Sequence, residues 1–160
     1  MQCFTKRNLL HIIACIVLML SSGCASRQDK ADPVRSDADG ELLVTGKGIC
    51  QEVRSGKMWQ ASKSGLFSSL QEAERYAASL NLGGYNDWRL STKEELFDLY
   101  YIFFWEKNGD CAMNRNGNFW AVSVDGSPSL GHWETYFLCN PEFRYIKSQG
   151  TRGYVRAVRP

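Results

Sequence analysis

The side chains best suited to bind a charged ligand are cationic and lie near the C-terminus. From Glu142 onward the chain has one acid and five basic residues, a local charge of +4: Arg144, Lys147, Arg152, Arg156 and Arg159. Arginine binds carboxylate or sulfate groups through a fork of N–H donors. The alternative is a solvated face, balanced by acids of the preceding helix. We predict that Arg144, Lys147 and Arg152 contact an anionic ligand.

Two aromatic residues, Trp133 and Tyr136, are candidates for stacking on a sugar ring. Trp133 follows Gly131-His132, where a loop gives way to a strand-like run. Aromatic rings beside loops stack on sugars, although core packing is their commoner fate. We predict that Trp133 is an exposed ring and that both residues contact ligand.

The segment Asp87-Trp88-Arg89 has a functional and a structural interpretation. In the first, Trp88 stacks on a sugar and Arg89 holds an acid group. In the second, Asp87 pairs with Arg89 or Arg156 and Trp88 fills the core. We favour the structural interpretation, because the segment leads directly into a helix cap that includes Glu95.

Arg156 and Arg159 are predicted to lie on opposite faces of the last strand. Side chains alternate along a strand, so Arg156 shares a face with Tyr154 and Val158. We therefore expect Arg156 to pair with a buried acid, and Arg159 to face solvent.

Catalytic and metal sites find little support in the sequence. His132 with Glu134 is the one acid–base pair that suggests an enzyme, and no G-x-S-x-G motif accompanies it. Zinc is not predicted, because no C-x-x-C occurs and His132 is the only histidine after residue 23. A calcium site would draw on Asn86-Asp87 and Asn140-Pro141-Glu142, which are too sparse to predict one. We expect no enzyme activity, no metal and no cofactor.

The N-terminus has the features of a bacterial lipoprotein signal peptide over residues 1–23. Lys6 and Arg7 precede an apolar run from Leu9 to Leu20, which is too short to span a bilayer. Small residues then lead to Cys24, which we predict to be lipidated (palmitate and diacylglycerol) as the first residue of the mature chain. Ordinary cleavage after Ala25 is the alternative.

Residues 24–40 are polar and mixed in charge, and we interpret them as a flexible tether between lipid and domain. Two or three acyl chains anchor a protein stably to a membrane. Because no Asp follows Cys24, the predicted location is the outer membrane of a Gram-negative cell. A folded domain is expected over residues 41–160.

Charge and composition exclude some classes of partner. The chain has 160 residues and a net charge of +2, with 44% hydrophobic and 22% charged residues. Without residues 1–23 the net charge is 0, because Lys6 and Arg7 lie there without an acid. Nucleic acid is therefore not an expected partner, since phosphate neutralisation needs surplus cations. The oligomeric state is left open.

The cysteine count leaves one thiol without a partner in the mature chain. Six cysteines occur, at positions 3, 15, 24, 50, 111 and 139, and only the last three lie in the expected domain. An exported domain meets oxidising conditions, which favour a disulfide. We favour Cys111 with Cys139, because both lie beside turn residues. Pairing of Cys50 with either one remains open.

The elements that must position these residues indicate an α+β fold. Helices are predicted from Ser69 and from Thr92, each opened by a capping box. The second helix is apolar nearly all round, so we expect it to pack on more than one side. Strands are predicted around Leu42–Val44, Ile49–Val53 and Met58–Gln60, and after residue 118 at Phe119–Val124, Trp133–Leu138, Phe143–Ile146 and Tyr154–Val158. This order favours a mainly antiparallel sheet.

Residues 84–96, Gly-Tyr-Asn-Asp-Trp-Arg-Leu-Ser-Thr-Lys-Glu-Glu-Leu, resemble a known signature. They are similar to the D-W-R-L-P-T-x-x-E-L motif of the Lcl C-terminal domain family, named after the Legionella collagen-like adhesin. Residues 55–60, 119–123 and 154–159 resemble its other segments, and Ser91 replaces the usual proline. The resemblance implies a C-type-lectin-like fold, with two helices on an antiparallel sheet with long loops. It also implies an exported protein, and the name-giving adhesin binds sulfated polysaccharides.

These observations predict a lipid-anchored binding module of the bacterial cell envelope, which recognises a polysaccharide and takes part in adhesion. The predicted ligand is a sulfated or otherwise acidic glycan. A protein-interaction or assembly factor without a sugar site is the main alternative, and a His132-dependent enzyme is the less favoured one.

Overall fold

The structure is a computed structural model that describes residues 42–137 and 140–160. Two helices, α1 (Leu70–Ala78) and α2 (Lys93–Phe104), pack with two antiparallel sheets. The strands of this part of the chain are β1 (Leu42–Gly46), β2 (Ile49–Glu52), β3 (Met58–Gln60), β4 (Arg89–Leu90), β5 (Phe119–Val122), β6 (Pro128–Phe137), β7 (Pro141–Lys147) and β8 (Ala157–Arg159). The predicted α+β class is confirmed. The signal peptide, Cys24, the tether and Cys139 lie outside the described residues.

The first sheet has the strand order β1-β2-β3-β8-β4. Gly48, at φ +83°, lies in the tight turn that joins β1 to β2, where a left-handed conformation favours glycine. Trp59 on β3 is fully buried, and its indole Nε1 donates to Glu52 Oε1 at 2.7 Å. The polar atom of this large core residue therefore has the partner that burial requires.

Helix α1 begins at a serine cap and packs its alanine face on the first sheet. The Ser69 hydroxyl accepts from the Glu72 N–H at 3.2 Å, as predicted. The predicted capping box does not close, because the Glu72 carboxylate accepts from Ser68 N–H instead of Ser69 N–H. Ala73 and Ala77 are fully buried in a cluster that includes Trp88.

Helix α2 joins the two sheets. The predicted capping box is confirmed, since the side chains of Thr92 and Glu95 each accept from the other's backbone N–H. Leu99 and Ile102 are buried in the core of the first sheet. The aromatic side of the helix meets the second sheet, with the Phe97 ring centroid 4.7 Å from that of Trp133. The expectation that this helix packs on more than one side is therefore correct.

The second sheet has the order β5-β6-β7, and regular pairing of β6 with β7 fixes which side chains share a face. Trp133 is opposite Tyr145 and shares the α2 side of the sheet with Phe143. His132, Glu134 and Arg144 lie on the other side.

Three strands depart from the sequence prediction. Strand β6 begins at Pro128 and β8 begins only at Ala157, whereas β4 was not predicted at all. Strand β4 has two residues, too few for any alternation of polar and apolar side chains to be visible. Within the described residues, neither helix is long and apolar enough to cross a membrane.

Candidate ligand-binding cavity

A cavity of about 440 Å³ lies between α2, the loop at residues 105–118, and the second sheet. Its apolar walls come from two leucines of α2 and from aromatic residues of four different segments: Leu96, Leu99, Tyr100, Phe119, Trp133 and Tyr145. Its polar walls are Arg115, Asn116, His132 and Arg156. Apolar walls with a few convergent polar groups are the usual composition of a small-molecule site.

Arg156 is a fully buried cation without an acid partner among the described residues. Its side chain donates to Gln60 O at 2.8 Å, to Asn114 O at 2.6 Å and to Ala61 O. The expected pairing with a buried acid is therefore wrong, and backbone carbonyl dipoles take its place. Burial lowers the pKa of Arg156 to about 10, because no carboxylate of the described residues offsets the cost of removing the guanidinium from water.

Arg115 is exposed and lies over aromatic rings at the rim of the cavity. Its guanidinium carbon is 4.7 Å from the Phe103 ring centroid and 5.9 Å from that of Tyr100. Partial burial lowers the pKa of Arg115, although Tyr100 acts in the opposite direction. Sequence analysis missed this residue, since it lies in a loop without periodicity.

The loop that carries Arg115 is fixed to the first sheet through β2 and to the segments that follow β3 and precede β8. Cys111 forms a disulfide with Cys50, with their Cα atoms 6.0 Å apart. Asn114 O accepts from Arg156, and Asn116 O accepts from Lys63 Nζ at 2.8 Å. The favoured Cys111–Cys139 pairing is wrong, and the pairing through Cys50 that was left open is the one found. Cys50 and Cys111 are 1% and 0% exposed in one core cluster, so burial brings them together.

Trp133 forms a wall of the cavity and is not the exposed ring that the sequence predicted. It is partly buried, with its ring 5.3 Å from the Tyr145 ring. Its indole Nε1 donates to Lys93 O at 3.1 Å. Trp133 faces inward because strand β6 begins five residues before it and fixes its side chain on the α2 side of the sheet.

The basic residues predicted to bind a ligand do not form one patch. Arg144 and Lys147 lie on opposite faces of β7, since three positions separate them. The Arg144 guanidinium donates to Glu142 Oε2 at 2.8 Å and lies 5.0 Å from the Tyr136 ring centroid. Arg152 is exposed in the loop before β8. Their role in binding stays a prediction, and only Trp133 of the predicted contact residues lines the cavity.

His132 lines the cavity, although its side chain lies on the face of β6 opposite that of Trp133, and both of its ring nitrogens are engaged. Its Nδ1 is 2.7 Å from Asn118 Oδ1, and its Nε2 is 2.8 Å from Glu134 Oε1. The hydrogen bond from His132 lowers the pKa of Glu134, with help from Tyr136. An imidazole held on both sides has no free nitrogen to act as a base in this conformation.

The Asp87-Trp88-Arg89 segment contributes structural contacts, with partners other than those predicted. Trp88 is 2% exposed, so the expectation that it fills the core is confirmed. Asp87 receives two hydrogen bonds from Arg159, at 2.6 and 2.9 Å, which lower its pKa. Arg159 is therefore not a free solvent-facing cation. Its guanidinium carbon also lies 3.9 Å from the Tyr85 ring centroid.

Arg89 binds Glu95 through a bidentate pair of 2.8 and 2.7 Å. Burial raises the pKa of Glu95, but the hydrogen bonds from Arg89 and Thr92 N–H outweigh it, so the pKa is lowered overall. The pair ties β4 to the first turn of α2, the helix that forms one side of the cavity. Arg89 thus positions α2 from outside the cavity, since neither Arg89 nor Glu95 lines it.

The side chains considered for calcium are occupied by cations of the protein. Asp87 pairs with Arg159, and Glu142 pairs with Arg144. Within residues 42–137 and 140–160, no three His, Cys, Asp or Glu side chains gather as metal ligands would.

No protein family, curated protein or solved structure matches this chain. The resemblance to the Lcl C-terminal domain family therefore stays a prediction from the residues that carry it. The candidate site rests on the geometry of the cavity itself.

Proposed function

We propose that this chain is a binding module of the bacterial cell envelope that takes a sugar ring of a polysaccharide into the cavity beside α2. The observation that carries the proposal is the aromatic lining: Tyr100, Phe119, Trp133 and Tyr145. Aromatic faces pack on the C–H surface of sugars, and the polar groups of Arg115 and Asn116 are placed to bind hydroxyl or acid groups.

The cellular setting is part of the same proposal. Lipidation at Cys24 would hold the module on the outer membrane of a Gram-negative cell, with residues 24–40 as its tether. Membership of the Lcl C-terminal domain family, and a C-type-lectin-like version of the α+β fold, agree with an exported adhesion module. The sequence features quoted above support these assignments.

The test is a glycan array with residues 41–160, read at low and at physiological salt. Tyr145→Ala is expected to lose the signal, because it removes one aromatic wall of the cavity. Tyr136→Ala is the matched control, since Tyr136 is exposed on the opposite face of the second sheet. Loss of binding in Tyr136→Ala alone would move the site to the surface that the sequence predicted. Absence of any glycan signal would refute the sugar-binding function.

A second candidate function, protein interaction, is favoured by one specific observation. Phe137 is 72% exposed and Trp105 is 47% exposed, and both rings contact Phe104 at one end of α2. Exposed aromatic clusters often mark protein interfaces. A partner that copurifies with the wild type, and not with Phe137→Ser, would support this function in place of sugar binding.

A further inference from the structure

The cavity contains positive charge that the described part of the chain does not neutralise. Arg156 is bonded to three backbone carbonyls, and Arg115 contacts two aromatic rings. No carboxylate of residues 42–137 or 140–160 influences the pKa of either guanidinium. A buried cation normally has an acid partner in the same protein, and Arg156 has none among the described residues. Two uncompensated cations in one cavity wall point to an anion supplied by a ligand.

Arg115 is the residue placed to contact that anion. It is exposed, and no hydrogen bond from its guanidinium is found among the described residues. Its N–H donors are therefore available to an oxygen acceptor, and a guanidinium fork matches the two oxygens of a carboxylate. Arg156 differs, because its terminal nitrogens already serve three carbonyl oxygens. Arg156 contributes a fixed positive charge from within the cavity wall. Because the dielectric constant is low there, this charge attracts an anion in the cavity more strongly than it would in water.

We propose that the cavity holds a single carboxylate-bearing ring of its ligand, with Arg115 as the residue that binds the carboxylate. The inference rests on the proposed function in that it assigns the acid group to the same cavity. The volume, about 440 Å³, is near the lower end for ligand sites, which run from about 300 to about 1,000 Å³. A cavity of this size can hold one ring with one acid group. A polyanion would instead need a basic surface along which its charges could bind.

The experiment compares two sugars that differ by one acid group, methyl glucuronide and methyl glucoside, with cyclohexanecarboxylate as a third probe. Each is titrated into the full chain in mild detergent, and binding is followed by ligand-observed NMR and tryptophan fluorescence. The glucuronide is expected to bind about tenfold more tightly than the glucoside, as a charged bidentate hydrogen bond allows. Arg115→Met is expected to abolish that difference, and Arg115→Lys to leave part of it.

The matched control is Arg75→Met, which removes an exposed arginine of α1 that does not line the cavity. This variant is expected to keep the tenfold preference. Circular dichroism shows whether each variant keeps its fold. If Arg115→Met does not fold, Arg115→Lys still tests the role of Arg115.

The outcomes separate this inference from the proposed function. Equal binding of the two sugars overturns the carboxylate site and leaves the sugar-binding function standing. Binding of cyclohexanecarboxylate without either sugar refutes sugar binding and supports the carboxylate site. A preference that survives in Arg115→Met overturns the role of Arg115. If none of the three probes binds, both proposals fail.

Discussion

Removal of the Cys50–Cys111 disulfide is expected to destabilise the domain by several kcal/mol. The bond closes a loop of 61 residues, and loop entropy of that length corresponds to about 4 kcal/mol. Both cysteines are almost fully buried beside Trp59, so alanine in their place also leaves a small void in the core. The expected loss for Cys50→Ala with Cys111→Ala is therefore about 4 kcal/mol or slightly more.

Urea unfolding of residues 41–160, followed by tryptophan fluorescence, measures this loss. With a slope of about 2 kcal/mol per molar urea, the midpoint is expected to fall by about 2 M. Trp59 lies in the same core cluster as the disulfide, so its emission reports unfolding of that core. Cys139→Ala is the control, and we expect it to leave the midpoint unchanged.

The opposite result would refute the pairing. If Cys139→Ala lowers the midpoint and Cys50→Ala does not, Cys111 is bonded to Cys139 in solution. Alkylation without reduction gives an independent check, because only Cys139 is expected to react in the denatured, oxidised domain. A protein in which Cys50 is alkylated contradicts the structure.

Three further predictions concern single residues. Ser91→Ala is expected to stabilise the domain by about 1 kcal/mol in urea unfolding, because the fully buried Ser91 hydroxyl has no hydrogen-bond partner among the described residues. A loss of stability would reveal a partner. Glu95→Gln is expected to cost about 1–2 kcal/mol at pH 7, since it weakens the half-exposed pair with Arg89. The pKa of Glu95 is lower in the folded protein than its ordinary value of 4.5, so its ionised form stabilises the fold at any pH above 4.5. This stabilisation is lost as the pH falls through the pKa that Glu95 has in the folded protein. Wild type should therefore lose more stability than Glu95→Gln between pH 5 and 3, and parallel pH profiles would contradict this. Gly131→Ala is expected to cost about 2 kcal/mol in thermal unfolding, because the new Cβ would lie 2.2 Å from Ile146 O; an unchanged melting temperature would show that β6 and β7 separate easily.

The features predicted correctly from the sequence are those that depend on neighbouring residues. The Ser69 and Thr92 side chains cap N–H groups three positions away, and the predicted strands β1 and β2 are joined by a turn at Gly46-Lys47-Gly48. The broad apolar surface of α2 likewise predicted two packing partners. These features are stabilised by contacts between residues that are close in the sequence, so they can be predicted from a single sequence.

The features that sequence analysis missed depend on residues brought together by the fold. Asp87 and Arg159 are 72 positions apart, and their pairing follows from β8 lying next to β4. The turn residues beside Cys111 and Cys139 favoured pairing of those two cysteines, whereas burial in one core selects Cys50 as the partner of Cys111. Arg115 had no pattern to mark it, because its importance comes from aromatic rings on a different element. Of the residues predicted to contact ligand, only Trp133 lines the candidate cavity.

The position of β8 has a consequence for how the domain is made. This last strand lies between β3 and β4, and pairs through Val158 with both Trp59 and Arg89. A chain that emerges from a ribosome or a translocation pore with its N-terminus first cannot complete the first sheet until residues 157–159 are free. Until then β3 and β4 keep unsatisfied edges, which other strands can pair with. Completion of this sheet is therefore delayed until residues 157–159 have emerged, and removal of residues 157–160 would leave a gap in the middle of the sheet.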